Sequence, residues 1–401
     1  MRGIRIVAAL ISIACFPLFS HAADLQFTSS TQYLWYQDLL DTLDKDEVAQ
    51  YLRVNVGKLD KEGKLNLYGY GRVTKQMSPG DDWRGRLYYI YFEYRDAFNN
   101  HLDLRAGRNY VNTTAISGTI DGIYLNAKNL GPVGITAFGG RHVIFDEKQE
   151  IGNGEDTLAG ASVYVDTVKY THIELSYGNR YNNGDLAREN IGFNISTTPH
   201  QMINIYGRFR YDTVADTNSE LLVGAKLVPV KKLTLRGEFY NFKPTFDKDS
   251  FFNFFGVNNY KEISVDAEYL LTANYRVHAK YANEDFSDDA TGDLYQVGVL
   301  ARPIDELTLN VDYEKRNGFA GQLSGIRFNG EFRIRKAAIL AGIDYDDFRR
   351  EASRQGNAKK YWAAVHYSIT KQLRAIVRVE DNKNFNFNNS YQGFAAVNFN
   401  L

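Results

Sequence analysis

The chain has 401 residues, in which 47 Lys+Arg nearly balance 48 Asp+Glu; Tyr (28) and Phe (25) are plentiful, while Pro (7), Met (3) and Cys (1) are scarce. The charge balance excludes the basic footprint of a nucleic-acid binder. Mean hydropathy is negative, and beyond the N-terminus no apolar run approaches the ~20 residues of a membrane-spanning helix. A membrane barrel is not excluded, because it spreads its lipid face over alternate residues.

Arg2 and Arg5 make a positive start, Ile6 to Phe16 a short apolar core, and Ser20, His21 and Ala22 a small–x–small site for cleavage between Ala22 and Ala23. This is the layout of a secretory signal peptide. An uncleaved anchor helix needs a longer core than the one Pro17 closes. A lipoprotein reading of Cys15 needs a large aliphatic residue where Ser12 stands. The expected division is a leader, residues 1–22, and one mature domain, residues 23–401. Without Cys15 the mature chain has no cysteine, so disulfides, cysteine-ligated zinc, iron–sulfur clusters and c-type haem attachment are excluded. No cofactor is expected.

Period-two patterning fills the rest. Leu102, Leu104 and Ala106 alternate with Asp103 and Arg105; Leu233, Leu235, Gly237 and Phe239 alternate with Thr234, Arg236 and Glu238. Tyr275, Val277, Ala279 and Tyr281 alternate with Arg276, His278 and Lys280, and Leu307, Leu309, Val311 and Tyr313 with Thr308, Asn310, Asp312 and Glu314. Each such strand has one apolar and one charged face. A soluble sandwich also alternates, but at this length it would be divided into domains, and no linker or composition shift is present.

The connections alternate between tight turns (60–63, 97–100, 129–132, 198–201, 229–231, 303–306, 370–372) and longer polar stretches (76–83, 141–156, 242–258, 285–293, 349–359). Short turns on one side and longer loops on the other string an all-β, antiparallel, up-and-down transmembrane barrel of about 22 strands, within a range of about 18 to 24. Both termini are expected on the short-turn side. Aromatic clusters near strand ends (Tyr33, Trp35, Tyr36; Tyr88, Tyr89, Tyr91, Phe92; Tyr361, Trp362) suit the headgroup level. Phe251, Phe252, Phe254 and Phe255 fit either that level or a loop knob packed into the mouth.

The last strand, ending Tyr391-Gln392-Gly393-Phe394-Ala395-Ala396-Val397-Asn398-Phe399-Asn400-Leu401, has Tyr391, Val397, Phe399 and Leu401 on its apolar side. It is similar to the C-terminal signal of the Gram-negative outer-membrane porin-like barrels, which the barrel-insertion machinery reads. Those proteins usually end in an aromatic residue; here Phe399 stands two before Leu401. The pattern of the whole mature chain resembles that family, which implies outer-membrane lipid and the insertion machinery as partners.

No enzyme is found. His172 and Ser176 share a strand face, but residues i and i+4 of a strand are ~13 Å apart, too far to hydrogen-bond. The pairs Asp81-Asp82, Asp288-Asp289 and Asp346-Asp347 read as solvated loop charges, and no Asp–His dipeptide, Walker motif or HExxH accompanies them. The informative residues are the inward candidates: Asp103, Arg105, Arg236, Glu238, Arg276, His278, Lys280, Asp312, Glu314, Arg374, Arg378 and Glu380. Mixed signs keep a bore wet and set a transverse field, with modest ion preference.

Two functions follow. One is a passive channel for small hydrophilic solutes or ions. The other comes from size: barrels of 22 strands are normally plugged, yet no plug domain and no loop evidently suited to fold inward is legible. An empty bore would leak, so the rival is a sheath around a multihaem cytochrome in an outer-membrane electron conduit.

Overall fold

The computed structural model describes residues 24–38, 43–77, 82–145, 154–287, 290–318, 321–351, 354–384 and 387–401. The expected leader, with Ala22 and Ala23, lies outside these residues, as do Asp81, Asp288 and Asp289.

The described residues form β1 (Asp24–Asp38), β2 (Leu43–Gly57), β3 (Leu65–Gln76), β4 (Arg84–Asp96), β5 (Leu102–Asn112), β6 (Ser117–Leu130), β7 (Val133–His142) and β8 (Thr157–Val165). They continue with β9 (Thr171–Asn182), β10 (Asp185–His200), β11 (Ile203–Asp212), β12 (Thr217–Val230), β13 (Leu233–Phe242), β14 (Tyr260–Thr272) and β15 (Tyr275–Asp285). The last are β16 (Thr291–Ile304), β17 (Leu307–Gly318), β18 (Gly321–Ile334), β19 (Ala337–Glu351), β20 (Arg354–Ser368), β21 (Leu373–Asn384) and β22 (Phe387–Asn400). Each strand pairs antiparallel with the next. β22 pairs with β1 from Thr28↔Asn400 to Tyr36↔Gln392, closing a 22-stranded ring. The expected strand count and the position of both termini on the tight-turn side are borne out. Closure leaves no edge strand to be solvated, which is the condition for sheet structure in lipid. Among the described residues no helix is long and apolar enough to cross a membrane.

Several loops are shorter than their polarity suggests. Residues 349–359 carry the end of β19 and the start of β20, and Asp346 and Asp347 are strand residues, not loop charges. A strand that projects beyond the lipid is polar on both faces, so hydropathy alone cannot mark where it ends. The long loop-side connections are 143–156 and 243–259.

Pairing register fixes the two faces. On β14 to β22 the outer face carries exposed Ile263, Val265, Val277, Val297, Val299, Ile326, Ile343, Val365 and Val377. Toward the loop side this band ends in exposed Tyr281, Tyr295, Tyr313, Tyr345, Tyr361 and Tyr391. Two residues further along the same strands the face turns polar, at Asn283, Asp293, Lys315, Asp347, Lys359 and Asn389. Tyr281 and Tyr295 face each other across β15 and β16, ring centroids 5.1 Å apart. An apolar band ending in amphipathic rings is the surface that a bilayer and its headgroups demand.

Candidate functional site: the pore

The inner face is not simply lined; part of the wall folds into it. β4 and β5 pair only from Tyr94↔Leu104 to Ile90↔Arg108, after which β5 departs. The departure is at Gly107, with φ +122, where an added Cβ would stand 2.5 Å from the Ile90 carbonyl oxygen. Only glycine fits there. Just past it Arg108 holds Asp121 of β6 and donates to the Leu87 carbonyl (3.0 Å). Phe145, just beyond β7, reaches Tyr88 (5.8 Å between centroids) and lies under Arg86 (5.6 Å), so its ring sits against β4 on the loop side of the split.

The freed tip of the β5–β6 hairpin, residues 113–116, turns inward and is pinned to three strands further round the ring. The Thr114 N–H donates to Glu174 (2.8 Å) and the Ala115 N–H to Ser176 Oγ (2.9 Å), both on β9. Asn190 of β10 donates to the Ala115 carbonyl (3.0 Å), and Arg210 Nε of β11 to that of Thr114 (2.8 Å). The backbone groups at the apex are thereby satisfied away from water, which a buried loop requires. Ile116 packs where Gly178 has no side chain, and Ala115 where Gly192 has none. Beneath the tip Val111, Ile116, Ile120, Phe138 and Leu158 form a dry cluster inside the barrel. Burying each such side chain contributes about 1.5–3 kcal/mol, enough in sum to hold a four-residue apex against the wall.

The 243–259 connection also leans in. Asp247 sits between the guanidinium groups of Arg180 on β9 and Arg188 on β10 (3.1 Å to Arg188 Nε). Arg188 donates to the Thr245 carbonyl (2.7 Å), and the Lys248 N–H to that of Ala187 (2.9 Å). Its tip, Phe251–Phe254, is a single 3-10 turn with Phe251, Phe252, Phe254 and the following Phe255 all exposed. It is a knob, but not one packed into the mouth. The expectation that no long loop is suited to fold inward is overturned by the 243–259 connection, whose anchors lie on strands distant in sequence. The hairpin apex escaped it for another reason: it is only four residues long, and its signal is a run of apolar residues on the inner face after Gly107, not a long loop.

The twelve inward candidates all fall on the inner face: Asp103 and Arg105 on β5, Arg236 and Glu238 on β13, Arg276, His278 and Lys280 on β15, Asp312 and Glu314 on β17, and Arg374, Arg378 and Glu380 on β21. Many are engaged there. Arg105 pairs with Glu93 (2.7 Å), Asp103 with Lys128 (2.8 Å), Lys280 with Glu262 (3.3 Å), His278 with Asp312 (2.8 Å) and Glu314 with Arg327 (3.2 Å). Arg378 pairs with Glu380 (3.1 Å) and lies over the Trp362 ring at 4.4 Å.

Four of the nine aromatic residues expected at headgroup level, Tyr36, Tyr89, Tyr91 and Trp362, are inside instead. Tyr89 and Tyr91 face the bore with Tyr51, Tyr68 and Tyr70, stacked as Tyr68–Tyr91 (5.2 Å) and Tyr51–Tyr70 (6.4 Å); Tyr88 stacks on Tyr70 (4.9 Å). Tyr36 and Trp362 also face inward. Alternation makes this unavoidable for consecutive aromatics: if one meets lipid, its neighbour meets the bore. Sequence reasoning missed this tyrosine wall because it read clusters rather than parity.

His172 Nδ1 is 2.5 Å from Asp166, while Ser176 Oγ is occupied by the Ala115 N–H, so the two do not form a nucleophile and base. Among the described residues no group of His, Cys, Asp and Glu is placed to hold a metal ion.

A closed ring with an apolar outside and a charged, partly filled inside decides the class. The chain is a transmembrane antiparallel β-barrel of 22 strands. No family model and no curated protein matches it. Among solved structures the barrel is similar to Pseudomonas aeruginosa OccK3 (OpdO), at 9% identity over 95% of this chain and 96% of that one, TM-score 0.49. It is similar to a BenF-like porin from Pseudomonas fluorescens Pf-5, at 9% over 96% and 99%, TM-score 0.49. It is also similar to Pseudomonas aeruginosa OpdK, solved with vanillate, at 8% over 94% and 98%, TM-score 0.46.

Proposed function

We propose that the barrel is a passive diffusion channel of a Gram-negative outer membrane, passing small hydrophilic solutes or ions through a bore lined by residues such as Arg236, Asp312 and Arg378. The observation that carries this reading is the inward hairpin. Its apex is bonded to β9, β10 and β11, and a bore narrowed from within conducts selectively without a separate plug. The cytochrome sheath drew its force from an empty bore, and the hairpin removes that reason. Export under a leader cleaved before Ala23, and insertion directed by Tyr391, Val397, Phe399 and Leu401, belong to the same reading.

The test is electrical. The purified, heat-modifiable chain in a planar bilayer is expected to give discrete steps with weak ion preference, and its deletion from cells to slow uptake of small hydrophilic solutes. Silence of the folded barrel, or unchanged uptake together with loss of electron transfer to extracellular acceptors, would overturn the channel reading.

A further inference from the structure

We propose that the tight-turn rim of β12 to β21 binds the anionic headgroups of the phospholipid leaflet on that side, a contact independent of what passes through the bore.

At this end of the barrel the outward face stays apolar up to the turns. Val230, Leu271, Ile304, Ile334 and Ile369 are all exposed there. Register puts them outside: Val230 pairs with Leu233, Ile304 with Leu307 and Ile334 with Ala337, on the face that continues in Leu235, Leu309 and Ile339. Exposed Tyr269, Tyr275 and Tyr367 mark the headgroup level. Leu271 and Ile369 stand two residues beyond Tyr269 and Tyr367, about 7 Å along a strand, which brings the turns level with lipid phosphates.

Those turns are basic. Lys231 and Lys232 lie between β12 and β13, Arg335 and Lys336 between β18 and β19, and Lys371 between β20 and β21. All five are exposed, and among the described residues none has a carboxylate within ion-pair distance. Only the β16–β17 turn opposes them, with Asp305 and Glu306 beside Arg302. Round the other half of the rim, lysines are neutralised within the chain: Lys58 by Asp24 (2.8 Å), Lys64 by Glu62 (2.9 Å) and Lys128 by Asp96 (2.7 Å) and Asp103 (2.8 Å). The unpaired charge is confined to one arc.

Two of the lysines show where that charge lies. Lys232 Nζ donates to the Leu271 carbonyl (3.3 Å) and Lys336 Nζ to the Ile369 carbonyl (3.5 Å). Each ammonium is laid sideways onto the neighbouring turn, at the residue that ends the apolar band, instead of reaching away into water. Its stem covers apolar surface while its head stays at the boundary. One of three N–H groups is used, which leaves two for phosphate oxygens. Cations at this depth attract anionic lipid, and the low-dielectric acyl layer beside them weakens screening. An acidic protein docking from the aqueous side would meet the crown of the turns but not the ammonium groups set against the lipid. A headgroup meets both.

Site-resolved quenching tests this. Cys15 is the only cysteine, so a chain begun at Ala23 can carry one bimane, on Ile369→Cys in the basic arc or on Leu130→Cys in the balanced half, where Leu130 is equally exposed. The barrel is folded into phosphatidylcholine vesicles that hold a minor share of nitroxide-labelled phosphatidylglycerol or nitroxide-labelled phosphatidylcholine. Both leaflets are alike, so the direction of insertion does not matter. Position 369 is expected to favour phosphatidylglycerol on the order of threefold, and position 130 to favour neither. Raising salt from about 0.1 to about 1 M should shrink the preference. In Arg335→Gln/Lys336→Gln/Lys371→Gln it should vanish at 369, with heat-modifiable migration and single-channel steps unchanged. Equal quenching by the two lipids at 369, as large a preference at 130, or full retention in the triple variant would each overturn the proposal and leave the channel reading standing. Should the triple variant fold poorly, the native comparison of 369 with 130 and its salt dependence decide alone.

Discussion

The Arg108 guanidinium holds the Asp121 carboxylate in two near-parallel bonds of 2.8 and 2.9 Å, immediately beyond the point where β5 parts from β4. Arg108 is 7% exposed and its third bond reaches the Leu87 carbonyl on the strand that β5 has left. It thus fills the seam with hydrogen bonds that the ladder no longer supplies. Breaking a buried pair costs about 3–5 kcal/mol; with the Asp121 side chain a third exposed, Arg108→Ala should cost nearer ~2 kcal/mol. The expected result is a lower temperature of heat modification and noisier single-channel current. Arg108→Lys should fall between, because an ammonium keeps the charge but cannot make the two-pronged contact.

The apex of the hairpin depends on glycines opposite it. A Cβ at position 192 would collide with the Ala115 nitrogen and the Thr114 carbonyl carbon. Gly192→Val should therefore push the apex off the wall without breaking the barrel, since β10 keeps its pairing with β9 and β11. Single-channel steps should change by roughly a factor of two in size or in open-state noise. Steps and noise identical to those of the native chain would show that the apex does not shape the passage.

These two devices mark the limit of what the sequence discloses. Strand number and facing were legible because the period of two is local: Arg276, His278 and Lys280 can face only away from Val277 and Ala279. The inward hairpin was not. Its anchors Glu174, Ser176, Asn190 and Arg210 lie 60 to 96 residues from the apex they hold, and each reads singly as an ordinary polar wall residue. Two local signs were there. Val111, Ile116 and Ile120 put aliphatic groups where alternation expects polar ones, and Gly178 and Gly192 leave paired gaps on the inner face of β9 and β10.

Closure itself rests on the last strand. Phe399 pairs with Ser29 across β1 and β22, its ring 6.3 Å from that of Phe27, and Phe27 and Leu401 exchange backbone bonds of 3.2 and 2.8 Å. Phe399→Asp places a charge on the lipid face, at about 2–4 kcal/mol for a basic residue mid-membrane and somewhat less for an acid. Degradation in the periplasm instead of insertion is the expected outcome, scored by the amount of heat-modifiable barrel in the membrane fraction. Normal insertion would remove Tyr391, Val397, Phe399 and Leu401 from any part in assembly.

The turn after β2 is organised by one carboxylate. Asp60 accepts the N–H groups of Leu65 (3.0 Å) and Lys64 (2.7 Å), and these bonds, that of Leu65 foremost, hold its carboxyl below the usual aspartate range. Because the folded pKa is the lower one, the ordering it provides is complete above the ordinary carboxylate pKa. It is lost only as pH falls through the depressed value. Amide exchange at Lys64 and Leu65, corrected for its intrinsic pH dependence, should be flat from neutral to mildly acid pH and rise only below that. In Asp60→Asn the acid rise should disappear.

The second inward element hangs on Asp247. Its carboxylate lies between Arg180 and Arg188, largely out of solvent, and the neighbouring Thr245 carbonyl takes a further bond from Arg188. Two guanidinium groups this close repel each other unless an anion lies between them. Asp247→Asn keeps the shape of the side chain but removes that anion, so the connection 243–259 should come away from β9 and β10, at a cost of about 3 kcal/mol to its docking. In a bilayer this predicts a change in current noise and in mean conductance with the barrel still heat-modifiable. The inner wall, now carrying two uncompensated arginines, should shift ion selectivity toward anions. High salt screens exposed charge more than buried charge, so the native latch should hold between 0.1 and 1 M salt, a range in which the shift caused by the variant should shrink. If the variant and the native chain gave the same selectivity at low salt, Arg180 and Arg188 would have no part in the conducting path, and the connection would be a rim ornament outside the bore.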